Sequence, residues 1–206
     1  MKRMLAAALA LVAGAALAEP LAPDALVRDV MLDIQRFIVT DKDLQEGDRA
    51  KTIRLIEDKA LPHFNHVGMT ALAVGVHWRK ATPEQKKRLA DAFRTLLVRT
   101  YASSLSAFGN QKFEFRPLRM KPGDTDVTVE VRVLQSGAQP VPVEYDMEKT
   151  ARGWQVYDVR VGGISLVVNY RTEFATIVRD KGVDGLIAAL EEKNRSMDAP
   201  RADAGK

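Results

Sequence analysis

VTVEVRVLQSGAQPVPVEYDM, residues Val127–Met147, decides the architecture. Val127, Val129, Val131 and Val133 alternate with Thr128, Glu130 and Arg132. After Ser136-Gly137 the period returns, with Val141, Val143, Tyr145 and Met147 alternating with Glu144, Asp146 and Glu148. Side chains on a strand point to opposite faces in turn, so each run has an apolar and a polar side. Phe113 and Phe115 upstream and Trp154–Val161 downstream repeat the pattern, with turn signals at Pro122-Gly123-Asp124 and Arg152-Gly153. Four strands in meander order predict an antiparallel sheet with one face packed and one wet.

Before residue 110 the period is helical. Over 24–39, Leu26, Val27, Val30, Met31, Ile34, Phe37 and Ile38 recur at helix spacing behind Pro23, which suits a first turn. A second helix is expected over Asp48–Lys59, with Ile53, Ile56 and Ala60 inward and Pro62 as its stop, and a third over Met69–Trp78. Thr82-Pro83-Glu84-Gln85 is a capping box with proline at the first helical position. From it Leu89, Phe93, Leu96, Leu97, Thr100, Tyr101 and Leu105 mark one face of a long helix that Gly109-Asn110 ends. Gly162-Gly163 reads as a tight strand-to-helix turn, followed by helices Ser165–Lys181 and Val183–Lys193. Helices, then a sheet, then helices predict an α+β fold. Without repeats or a second domain, residues 19–195 are one domain and the polar residues 196–206 a disordered tail.

The first residues carry an address. Met1-Lys2-Arg3 precedes an apolar run to Leu17 and an A-x-A site at Ala16-Leu17-Ala18, the pattern of a signal peptide over 1–18 cleaved after Ala18. The run is shorter than the ~20 residues that span a bilayer. With no cysteine, the exported chain must be held by core burial alone. Losing Lys2 and Arg3 from 31 basic residues leaves an excess of two over 27 acids, too small to suggest nucleic acid as a partner.

Reactive constellations are sparse. His63 and His66 stand three apart beside Glu57 and Asp58, but zinc needs three or four converging ligands, so both read as packing or surface residues. No serine lies in G-x-S-x-G. Asp158 alternates with apolar neighbours, and pairing with Arg160 or Arg171 is the expected fate of such a carboxylate. Arg79, Lys80, Lys86, Lys87, Arg88, Arg94 and Arg99 outnumber Glu84 and Asp91 around the long helix. That is the composition of a solvated face or of a docking patch for an acidic partner.

The stretches ALAVGVHWRKATPEQKKRLADAFRTLLVRTYASSL (71–105) and GWQVYDVRVGGISLVVNYRTEF (153–174), followed by GVDGLIAALEEK, resemble the MlaC or toluene-tolerance family. The resemblance runs from about Pro23 to Asn194. It implies a curved antiparallel sheet with helices on its concave side and a hydrophobic cavity between them. The implied role is a periplasmic carrier with glycerophospholipid as cargo and no cofactor, metal or catalytic residue, and the low charge and exported context allow a monomer. Its implied partners are an outer-membrane lipoprotein–porin complex and an inner-membrane ABC transporter with an MCE-domain subunit, and its task the maintenance of outer-membrane lipid asymmetry. The lipid-binding positions expected on that basis are Trp78, Phe93, Leu97 and Tyr101 from the helices, Val129, Val131, Val133, Val143, Tyr145 and Met147 from the sheet, and Ile164 and Val168. Val131→Trp would fill such a slot. The alternatives are an enzyme in the same kind of cavity, which would need a carboxyl such as Asp158 inside it, and an interaction module using the basic helix.

Overall fold

The structure, a computed structural model, describes residues 21–134 and 137–198. The signal peptide and the last eight tail positions lie outside these residues. Strands β1 (Lys112–Phe115), β2 (Asp126–Leu134), β3 (Val141–Thr150), β4 (Gly153–Val161) and β5 (Ile164–Ser165) pair antiparallel in chain order. The expected four strands are present, with a two-residue fifth. Val127, Val129 and Val131 stand opposite Met147, Tyr145 and Val143, so six side chains share one face. The β2 valines are buried and the residues between them are not, as the alternation predicts.

β4 departs from simple alternation. Tyr145 pairs with Val159 and Asp146 with Asp158, yet Met147 pairs with Val156, leaving Tyr157 as one residue too many. This is a β-bulge, and it reverses the parity of the strand. Val156 and Val159, three apart, thereby come to the face that carries Tyr145 and Met147.

Gly162 and Gly163 have φ of 59° and 81°, and Val161 pairs with Ile164 across them. Two successive left-handed residues make the two-residue hairpin turn that glycines favour. The expected strand-to-helix joint is therefore a hairpin, and no helix starts at Ser165. The Ser165 hydroxyl accepts from the amides of Val167 and Val168 at 3.2 and 2.8 Å, and a single 3₁₀ turn covers Val168–Tyr170. Helix α6 then runs Arg171–Asp198, broken at Gly182 (φ 71°, ψ −178°). It passes the expected end at Lys193. Arg99 pairs with Asp198 at 2.7 Å and Arg49 donates to the Met197 carbonyl at 2.8 Å, so residues 196–198 belong to the fold and not to a tail.

The earlier helices follow their sequence signals. α1 is Pro23–Thr40, α2 Lys42–Gln45, and α3 Arg49–Leu55 continues into a π-helical turn, Ile56–Ala60. α4, His66–Val74, starts three residues earlier than expected because Asn65 Oδ1 caps it, accepting from Gly68 N at 2.9 Å. Gly75 (φ 62°) ends it, and residues Gly75–Lys80 wind as 3₁₀. α5 is Pro83–Leu105 with both bonds of its capping box formed, Thr82 N to Gln85 Oε1 at 3.0 Å and Gln85 N to Thr82 Oγ1 at 3.2 Å.

The apolar residues divide into two main cores. One is helical, joining Met69 and Ala73 of α4, Leu89, Phe93 and Leu96 of α5, and Phe174, Leu186, Ile187 and Leu190 of α6. The other sets Leu26, Val27 and Met31 of α1 against Val127, Val129, Val131, Met147, Trp154 and Val156 of the sheet. Phe64 packs against both. Its segment also covers the part of β4 that short β5 leaves unpaired: Phe64 forms a bridge to Val156, and Asn65 N donates to the Val156 carbonyl at 2.8 Å.

Candidate functional site

Two apolar chambers lie between these cores. The first, about 210 Å³, is lined by Ile56, Ala60, Leu61, Phe64, His66, Met69, Arg94, Leu97, Val98, Tyr101, Tyr145, Val159 and Leu166. The second, about 190 Å³, lies against Leu26, Val27, Val30, Met31 and Ile34 of α1, with Phe108, Met147 and Val156 on other sides. Ile56, Ala60, Phe64, Tyr101 and Tyr145 line both, so the chambers adjoin and share a wall. Either exceeds the roughly 150 Å³ that holds a benzene in an apolar cavity.

Local structure explains the lining. Arg94, Leu97, Val98 and Tyr101 are spaced i, i+3, i+4, i+7 on α5 and form one stripe facing the first chamber. On α1, Leu26, Val27, Val30, Met31 and Ile34 form the corresponding stripe toward the second. Val156 and Val159 serve one chamber each because the bulge turns both inward.

Of the twelve expected lipid-binding positions, the structure brings four to the chambers: Leu97, Tyr101, Tyr145 and Met147. Phe93 is fully buried one turn away, in an edge-to-face cluster with Tyr170 and Phe174 at ring distances of 5.2 and 5.3 Å. Val129 and Val131 are core, and Val133 and Val143 are buried on the same sheet face away from either lining. Trp78 packs on the helical core with Lys86 Nζ 5.8 Å from its ring centre. Ile164 is 64% exposed at the hairpin and Val168 36%, so the hairpin turns both outward. The largest omission from the sequence reading is α1 together with the segment 56–64. Helical periodicity shows that those faces are buried, not whether they meet side chains or a void.

Burial disfavours the charged forms of the tyrosines and histidines in the chamber walls. Burial, and secondarily the Tyr170 hydroxyl, pushes the Tyr101 hydroxyl up to about 12. Burial also raises the Tyr145 phenol, whose hydroxyl has the Met31 sulfur at 3.5 Å as its partner. Burial lowers His63, and burial followed by the Arg94 charge lowers His66. Both histidines, read from sequence as packing residues, stand in the chamber walls. Among the described residues, no cluster of three His, Cys, Asp or Glu could hold a metal.

Asp158 is buried but lines neither chamber. It pairs with neither expected arginine. Its carboxylate accepts from Ser165 Oγ at 2.5 Å and Val159 N at 2.8 Å, and burial raises its pKa. The hairpin supplies the reason, since it folds Ser165 back against β4. Arg160 instead holds Asp146 at 2.8 Å, and Arg171 donates to the Leu72 carbonyl at 2.7 Å. The carboxyl that an enzyme in this cavity would need is therefore elsewhere. A pair of adjoining apolar chambers can shield hydrocarbon from water.

A model of the MlaC protein family matches residues 28–192 of this chain. The toluene tolerance protein ttg2D of Pseudomonas putida is 29% identical over 126 residues, 58% of this chain and 58% of that protein. The chain thus covers less than two thirds of that relative's length. The intermembrane phospholipid transport system binding protein MlaC of Haemophilus influenzae is 22% identical over 151 residues, 72% of this chain and 70% of that protein. A phospholipid-binding protein from Ralstonia solanacearum, solved in complex with a phospholipid, superposes with a TM-score of 0.78 at 36% identity, over 84% of this chain and 97% of that one.

Proposed function

The chain belongs to the MlaC family, and from that premise we propose that it is a periplasmic carrier moving glycerophospholipid between the outer and inner membranes. The family is one of lipid-binding transport proteins and not of enzymes. In this reading residues 1–18 direct export, the carrier domain runs from residue 19 to the end of α6 at Asp198, and the protein works as a soluble monomer. Among the described residues no helix is long and apolar enough to cross a membrane. Lipid would be collected from an outer-membrane lipoprotein–porin complex and handed to an inner-membrane ABC transporter with an MCE-domain subunit, maintaining outer-membrane asymmetry.

The observation that carries the proposal is the pair of adjoining chambers with their shared wall. One diacyl lipid has two chains, and each chamber takes part of one. Burying a methylene is worth about 0.8 kcal/mol, so a sixteen-carbon chain left in water costs roughly 12 kcal/mol. A carrier must offset most of that cost with apolar walls, and it needs no catalytic group. The test is transfer of a fluorescent phospholipid from donor to acceptor vesicles. The rate should rise with protein concentration; a rate unchanged by the protein contradicts the carrier role.

A further inference from the structure

The sheet wall of the first chamber continues past the chamber. Tyr145, Val159 and Leu166 all line it and form one row across the sheet: Tyr145 pairs with Val159, and Leu166 N donates to the Val159 carbonyl at 2.8 Å. Two residues along each strand, the same face holds a second row, with Val143 opposite Val161 and Val161 opposite Ile164. This row lines neither chamber, and its exposure climbs from 7% at Val143 to 37% at Val161 and 64% at Ile164. An isolated exposed aliphatic residue is ordinary. Here two stand opposite each other and run without a polar break into the lining of a cavity, as a binding surface does. The backbone beneath them is tied on both sides of the turn. Gly162 N donates to the Pro142 carbonyl at 2.9 Å, and Ser165 Oγ donates to the Asp158 carboxylate.

The size of the chamber names the occupant of this surface. A cavity of roughly 150 Å³ accommodates benzene, with its six carbons. In proportion, the first chamber of about 210 Å³ takes on the order of eight methylenes, about half of a sixteen-carbon chain. The other half needs apolar cover, and the row that ends at Ile164 is contiguous with the chamber and has no cover of its own. We propose that the β4–β5 hairpin is an outer acyl subsite of the first chamber. One chain of the bound lipid leaves the chamber past Val159 and Leu166, and its methylenes nearest the glycerol lie along Val161 and Ile164. This rests on the carrier reading and deepens it, because it fixes the side on which lipid enters and ties affinity to chain length beyond what the chamber holds.

The chain contains no cysteine, so Ile164→Cys carries a single environment-sensitive dye such as acrylodan. Lipid-stripped protein is loaded with dipalmitoyl or dioctanoyl phosphatidylglycerol, and native mass spectrometry reads the occupancy. Dipalmitoyl lipid should shift the emission to the blue as methylenes cover the dye. Dioctanoyl lipid, whose chains fit inside, should leave it unchanged. The same dye on Lys121→Cys, exposed ahead of β2 at the other end of the sheet, should respond to neither lipid. In unlabelled protein, Ile164→Ser should weaken dipalmitoyl binding about tenfold in competition with a fluorescent phospholipid, the equivalent of one to two methylenes returned to water. A bound dipalmitoyl lipid that leaves the dye unmoved overturns the proposal, as does wild-type dipalmitoyl affinity in Ile164→Ser. Equal shifts with both lipids, or a matching shift at position 121, would report a change in the protein and not chain contact, and also overturn it. If the wild type binds neither lipid, the carrier reading falls, and this proposal with it.

Discussion

Ala60→Phe tests whether the chambers hold hydrocarbon. Ala60 ends the π-helical turn and lines both chambers, so its Cβ is the small group where a bulky one would do most damage. A phenyl ring is about the size of benzene, which a cavity of roughly 150 Å³ accommodates. The ring would therefore take most of one chamber of 190–210 Å³. It displaces on the order of six methylenes, and at about 0.8 kcal/mol each the loss is ~5 kcal/mol, or three to four orders of magnitude in affinity. The empty protein should not suffer, because the ring enters a void in place of occupied core. The assay is phospholipid per protein after detergent-free purification, with thermal unfolding of the lipid-stripped variant alongside. Lipid content should fall to near zero with the unfolding temperature kept or raised. A variant that folds normally and retains wild-type lipid would refute the reasoning.

Other expectations follow from local physics. Gly163→Ala forces a side chain to a φ of 81° where an added Cβ meets nothing within 4 Å, so the cost is conformational alone. Urea denaturation should show a loss of about 1–2 kcal/mol. Thr82→Ala removes one bond of the capping box and should cost ~1 kcal/mol. Thr82→Ala with Gln85→Ala should cost less than the sum of the single losses in the same denaturation, because the two side chains act as a unit. His63 and His66 both titrate below 6.5 in the folded protein, so the unfolded chain takes up protons first as pH falls. Stability is full above pH 6.5 and declines as pH drops through the folded values; His66→Gln should flatten that slope in unfolding measured between pH 7 and 5.

The parts of the fold that were legible from sequence are those set by local signals. The capping box at Thr82–Gln85 fixes the start of α5 through two hydrogen bonds between near neighbours. The β2 valines bury on one face because their period of two leaves no other solution. The bulge at Tyr157 is a relation between two strands, and parity counted along β4 alone misses it. Gly162-Gly163 was a hairpin signal between Val161 and Ile164, overridden by the helical pattern that follows; the capping bonds of Ser165 delay that helix to Arg171. Site residues were the hardest to read. Phe93 and Leu97 lie one turn apart on the same apolar face, yet the first is sealed in core and the second borders a chamber. Val131 is fully buried, so Val131→Trp would overpack the sheet core instead of filling a slot.

Native mass spectrometry of the protein, exported and purified without detergent, tests the central claim most directly. The account predicts a monomer carrying the added mass of one diacyl phospholipid, released intact on activation and identified by extraction. A bare polypeptide mass under conditions that preserve the fold would contradict it.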